Sequence, residues 1–354
     1  LMLLASLNLV IDWFYVFESR LLTEISANSF PFYNGTFFTT LLYAASFFFI
    51  FLTNRVQSDE SVLGSDERKL FGYILTAIYT IVFFNAFRTE IDNYFHYLTV
   101  KTSIYITDEP YIFDKSLQFF NVIWQFNYTM FYLTLISFIN IKKSKNVVFA
   151  YVNLIFNWLT IGFFITIGLF ILSQLRDIYL LDESFFERGI YFIIIRYISY
   201  IFAAILIAAS YFYLKLNLFE NLEDKEKVDA LYNLTISTAL LFIFSSELLN
   251  WMDIFGYKDS YKLGLSILWG IYALILIIIG INKHKKHLRI AAIALFGLTL
   301  AKLFFYDIAE LDTISKTVVF VSLGILLLIV SFLYTKYKDL IFGIEEEELK
   351  DVNG

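Results

Sequence analysis

Long apolar runs alternate with short polar connections along most of the chain. A helix crossing a hydrocarbon core needs about 20 predominantly apolar residues. Ten stretches approach that length: 1–17, 33–53, 69–87, 118–140, 147–172, 189–214, 229–250, 263–282, 288–306 and 316–336. They predict an all-α integral membrane protein of about ten transmembrane helices, arranged as five repeated helical hairpins. One polytopic domain over 1–340 is expected, followed by an acidic tail over 341–354. The first run is short and carries Asn8 and Asp12. It still reads as a span and not a signal peptide, since no basic region precedes it and no small-residue cleavage site follows. Pro31 and Pro110 both fall between runs, so continuous helices are expected throughout.

Composition sharpens this picture. Hydrophobic residues make up 59% of the 354 positions and charged ones 17%, too few to cover the surface of a water-soluble protein of this size. The net charge of −6 offers no basic field for nucleic acid. With no cysteine there is no disulfide, thiolate metal site or cysteine nucleophile. The three histidines have no metal-ligand spacing, and no nucleophile elbow, phosphate loop or dinucleotide fingerprint occurs. No cofactor and no metal are therefore expected.

Lysine and arginine set the orientation. Taking alternate connections with the tail, 16 of the 27 fall on one side, concentrated in the turns IKKSKN (141–146) and NKHKKHLR (282–289). Both termini are thereby expected in the cytoplasm.

One pair of segments repeats at residue level. FFNAFRTEIDNYF (83–95) aligns with LLFIFSSELLNWM (240–252) at an offset of 157, placing Glu90 on Glu247, Asn93 on Asn250 and Tyr94 on Trp251. Each outward span carries a carboxylate near its outer end: Asp12, Glu90, Asp177, Glu247 and Asp307. Helix C-termini disfavour acids by about 0.3–1 kcal/mol, so cationic partners are expected, and Arg20, Arg88, Arg176 and Lys302 lie nearby. Helix ends reaching the headgroups, where charge is cheap, give the plainer explanation. The stretch 88–117 reads as an outer connection with an amphipathic segment at the interface.

Arg196, within YFIIIRYISYIF, is the most expensive residue in the chain. A central arginine costs about 2.5–3.5 kcal/mol to insert, and such residues usually face the bundle interior with a partner. It either snorkels to the headgroups or forms a buried anion or carboxylate site. Lys302 and Asp307, in LAKLFFYDIAELD (300–312), form a second candidate. The candidate binding residues are thus Arg196, Lys302, Asp307, Glu247, Asn250, Glu90 and Asn93, with no catalytic residue assignable. Asn121, Gln125, Asn127, Asn153 and Asn157 also lie within spans, at spacings that suit interhelical hydrogen bonds or a polar path.

The last hundred residues add a likeness. Ser266 and Trp269 open the eighth run, Gly280 closes it, and a basic turn ends in Arg289. Lys302, Asp307 and Leu311 follow, then Gly324 and Tyr334. Over 266–337 this resembles the C-terminal part of a bacterial family of predicted membrane proteins, domain of unknown function 2339. Over 1–260 the likeness is general, and Lys316 departs from the arginine that family members often carry. The resemblance implies a bacterial cytoplasmic membrane and no particular activity.

The function expected is that of a non-enzymatic multi-pass membrane protein, a transporter-like bundle or the membrane subunit of an envelope assembly. Its expected partners are membrane lipid and other membrane subunits. A membrane-embedded transferase is the alternative; it would use Arg196 and Lys302 to hold an anion of a lipid-linked or envelope substrate at the outer face, with an outer carboxylate such as Glu90 or Glu247 as base. A pure scaffold is the third reading.

Overall fold

The computed structural model describes residues 31–56, 65–102, 114–181, 187–215, 225–257 and 261–303, with scattered positions between 314 and 335. The expected first span, Asp12, Asp307 and the acidic tail lie outside the described residues. Every regular element among those described is a helix: α1 (Gly35–Val56), α2 (Ser65–Thr102), α3 (Lys115–Ile139), α4 (Val147–Phe163), α5 (Leu169–Leu180), α6 (Tyr191–Lys215), α7 (Lys225–Ile254), α8 (Tyr261–Asn282) and α9 (Lys286–Lys302). Two π-helical turns complete the set, Asn140–Ser144 after α3 and Phe164–Gly168 joining α4 to α5. The described positions between 314 and 335 are helical as well.

Seven of the described helices are long and apolar enough to cross a membrane, among them Val147–Leu180 as one run of 34 residues. Large side chains such as Leu42, Phe49, Phe163 and Phe170 stand more than half exposed on their flanks. Apolar side chains so displayed suit a lipid environment.

Two expectations need adjusting. The run at 69–87 is only the middle of α2, which continues through Glu90, Asn93 and His96 to Thr102. The first half of the supposed outer connection is therefore helix, because FRTEIDNYFHYLTVK contains neither proline nor glycine to stop it. The fifth run is interrupted by the π turn at Phe164–Gly168 and extends to Leu180.

The described residues fall into two compact units that divide within α3. In the first, α1 packs along α2 through Ala44, Phe47, Phe71, Leu75 and Val82. The α3 segment up to Tyr132 is tied to α2 by the Tyr128 and Tyr132 hydroxyls, which donate to the carbonyls of Phe84 and Thr80. The second unit holds the end of α3 and α4–α9. Within it α7 packs against α4, the π turn, α5, α6, α8 and α9, so polar groups on its faces must find partners on several neighbours. Gly280 lets α8 and α9 close together: a Cβ there would lie 2.7 Å from the Arg289 side chain.

Both basic turns share a device. Lys145 (φ 47°) and His284 (φ 53°) take the left-handed conformation that ends a helix. Asn140 then bonds the main chain of Asn146 in both directions, at 3.0 Å each.

Candidate functional site

The second unit brings together one end of three helices: the C-terminal ends of α5 and α7 and the N-terminal end of α6. Side chains at i, i+4 and i+7 on a helix share a face, and on α7 those positions are Ser246, Asn250 and Asp253. Arg176 of α5 donates to Asp253 at 2.6 Å and to its neighbour Asp177 at 2.8 Å. Arg196 of α6 donates to the Ser246 hydroxyl at 2.8 Å and the Tyr200 hydroxyl at 3.0 Å. Its Nη1 also stands 3.9 Å from Glu247. The Tyr197 hydroxyl donates to Glu247 at 2.7 Å, and Tyr200 does so at 3.4 Å.

Arg196 is only 1% exposed and Asn250 is fully buried. Arg196 therefore faces the protein interior rather than reaching for headgroups. Four buried polar atoms in this cluster have no hydrogen-bond partner among the described residues: Arg176 Nη1, Arg196 Nη2, and both Nδ2 and Oδ1 of Asn250. Each such atom ordinarily costs about 1–3 kcal/mol. The π turn lies alongside, its buried Phe164 meeting the Tyr200 ring edge-on at 6.5 Å between centroids. π-helical turns recur at functional sites.

Other candidates are placed elsewhere. Glu90 and Asn93 belong to the first unit, where the Glu90 carboxylate accepts from the Phe32 backbone and Asn34 at 2.8 Å and from Asn93 at 3.0 Å. Lys302 donates to the Ser266 hydroxyl at 2.8 Å and to the Lys262 carbonyl at 3.2 Å, both on α8. Arg88 donates to Asn85 and Gln125. Of the outer carboxylates, Asp177 and Glu247 thus have an arginine beside them, while Glu90 is held by amides.

The intramembrane amides divide the same way. Asn121 bonds Asp92 and Gln125. Asn153 and Asn157 join Ser137, Ser210 and Tyr213 in a buried chain linking the end of α3 with α4 and α6. Apart from the Asn121–Gln125 bond within α3 these are interhelical hydrogen bonds, while the buried Asn127 amide has no hydrogen-bond partner among the described residues. Sequence reasoning missed Asp253, Ser246 and the two tyrosines. The signal available for Asp253 was its spacing of three from Asn250 on a helix already holding Glu247.

The model of the family Predicted membrane protein (DUF2339) matches residues 1–337. The chain belongs to this family. The match runs far beyond the C-terminal stretch where the likeness is most visible. No curated protein and no solved structure matches the chain. A DUF2339 chain with several long apolar helices is a membrane-embedded protein, and the polar cluster at α5–α7 is set among those helices.

Proposed function

We propose that this DUF2339 protein is a non-enzymatic, transporter-like bundle of a bacterial cytoplasmic membrane. In this reading it has about ten spans in hairpin order, cytoplasmic termini, and a ligand site at the ends of α5, α6 and α7. The supporting observation is the set of unpartnered buried atoms on Arg176, Arg196 and Asn250. Charged groups inside a membrane bundle are costly and mark ligand or ion pathways. Buried unpartnered atoms such as those of Asn127 and Asn157 Oδ1 occur elsewhere, but here three such residues lie at one end of three helices, two of them arginines. The transferase reading needs Lys302 and Arg196 to hold one anion. Lys302 is engaged by α8 and Arg196 by α7, which favours the binding reading.

The native chain has no cysteine, so single cysteines report access. Asn250→Cys in intact cells is expected to react with a small membrane-impermeant methanethiosulfonate from outside, because a ligand path must reach this position. Ser144→Cys, in a basic turn, is expected to react only after the cells are opened. An Asn250→Cys variant inert from both sides would leave a scaffold, and external labelling of Ser144→Cys would invert the topology.

A further inference from the structure

The charges around the α5–α7 cluster restrict what it can take, given the reading of that cluster as a ligand site. Arg176 already faces Asp253 and Asp177, and Arg196 faces Glu247. An incoming anion would meet three carboxylates against two guanidinium groups, so Coulomb repulsion outweighs attraction. An incoming cation would meet the unpartnered N–H groups of both arginines. The unused valences are donors on Arg176 Nη1, Arg196 Nη2 and Asn250 Nδ2, and an acceptor on Asn250 Oδ1. A group that satisfies them is uncharged, accepts several hydrogen bonds and donates at least one. A hydroxyl does both.

The rim adds a second requirement. Glu247 and Trp251 stand one turn apart on the same face of α7, and Glu247 is bonded to Tyr197. Tyr197 is 38% and Trp251 43% exposed, whereas Asn250 is fully buried. Flat aromatic surface therefore borders hydrogen-bonding groups that lie deeper. Rings with polar edges and apolar C–H faces fit that order, since the edges can reach the polar groups while the faces lie on aromatic side chains.

We propose that the α5–α7 cluster binds a neutral polyhydroxylated ring, a saccharide either free or as the headgroup of a lipid. Its hydroxyls would bridge Arg176, Asn250 and Arg196, with Trp251 and Tyr197 against the ring faces.

The test uses the full chain purified in lauryl dimethylamine oxide, because glucoside and maltoside detergents would themselves supply the probe. Thermal unfolding is followed with methyl glycosides of glucose, galactose, mannose and N-acetylglucosamine, with the decyl glycosides of the same sugars, and with inorganic phosphate. At least one saccharide is expected to raise the midpoint progressively with concentration, as binding to the native state alone requires. Asn250→Leu is expected to fold and to lose that response. A response to methyl glycosides assigns a free sugar; a response to decyl glycosides alone that Asn250→Leu abolishes assigns a lipid-linked one. Stabilisation by phosphate without any saccharide response would overturn the proposal, as would a response to no probe, which would leave the cluster holding water only. A saccharide response that Asn250→Leu retains would overturn it too. Cysteine labelling at position 250 separates the two claims: a reactive but saccharide-blind site sinks this inference alone.

Discussion

The two halves of the sequence repeat put the same pair of residues to different ends. In the first unit Glu90 is fully buried, accepts three N–H groups, and receives one of them from Asn93 three residues on. One of those bonds holds Phe32, a non-glycine residue at φ 62°, in the left-handed region. In the second unit Glu247 is 23% exposed and held mainly by tyrosine hydroxyls, and the Asn250 amide has no hydrogen-bond partner among the described residues. Glu90 fastens the chain entering α1 to α2. Its counterpart sits at the edge of an incompletely satisfied cluster. A fully bonded pair stabilises; an unsatisfied one is retained at a cost, and such costs concentrate at functional sites.

The largest contrast should come from Arg176, whose guanidinium lies 2.6 Å from Asp253. Arg176→Leu leaves Asp253, only 11% exposed, without its arginine, with an expected loss of about 3–5 kcal/mol. The double variant Arg176→Leu with Asp253→Leu should recover most of it, read by thermal unfolding in one detergent. A double variant as unstable as the single would mean that packing, not charge, sets the cost.

Next comes the glutamate pair itself. Glu90→Gln turns an acceptor of three N–H groups into a mixed donor and acceptor, and should cost about 1.5–3 kcal/mol. Glu247→Gln should cost less than about 1 kcal/mol, because Arg196 stands 3.9 Å away, beyond hydrogen-bond reach, and the carboxylate is 23% exposed. Equal losses would erase the distinction between the two sites.

The amides sharpen it further. Asn93→Leu removes a donor from a buried carboxylate and should destabilise by about 1 kcal/mol. Asn250→Leu removes two unpartnered atoms and should be neutral or stabilising without ligand. A clear loss of stability in Asn250→Leu would show that the protein itself already satisfies this amide.

The smallest effect lies at the basic turn before α9. Burial, with Lys285 and Arg289 adding to it against Asp229, lowers the His287 pKa from its ordinary value. A histidine depressed in the folded state contributes fully while neutral and opposes folding as pH falls through its unfolded pKa, near 6.5. Stability should therefore decline slightly more steeply below about pH 6.5 in the wild type than in His287→Gln. Identical slopes would remove this histidine from the acid response.

The sequence made the helical class and the lipid setting legible because apolar runs of span length admit few other structures in water or lipid. It also singled out Arg196, Glu247 and Asn250, through the cost of burying them and through the repeat. It could not place Arg176 against Asp253, since that contact depends on how α5 meets α7. Nor could it mark the end of α2, where helix-favouring residues simply continue past the apolar stretch. The π turn was equally hidden, because Phe-Ile-Thr-Ile-Gly reads as ordinary helix.

That turn acts as a phase shifter. A π turn takes up one additional residue within a single turn, so everything beyond it sits about 100° away from where a regular α-helix of the same sequence would set it. The α4 face bearing Asn153 and Asn157 and the α5 face bearing Arg176 are thus set at angles that an uninterrupted helix would not provide. Gly168 makes the compressed turn possible, since a Cβ there would come within 2.5 Å of the Phe164 ring. Straightening this turn at full length would swing Arg176 away from Asp253, uncoupling the amide chain at one end of the bundle from the arginines at the other. Excising one residue would instead regularise the helix and hold Arg176 in place.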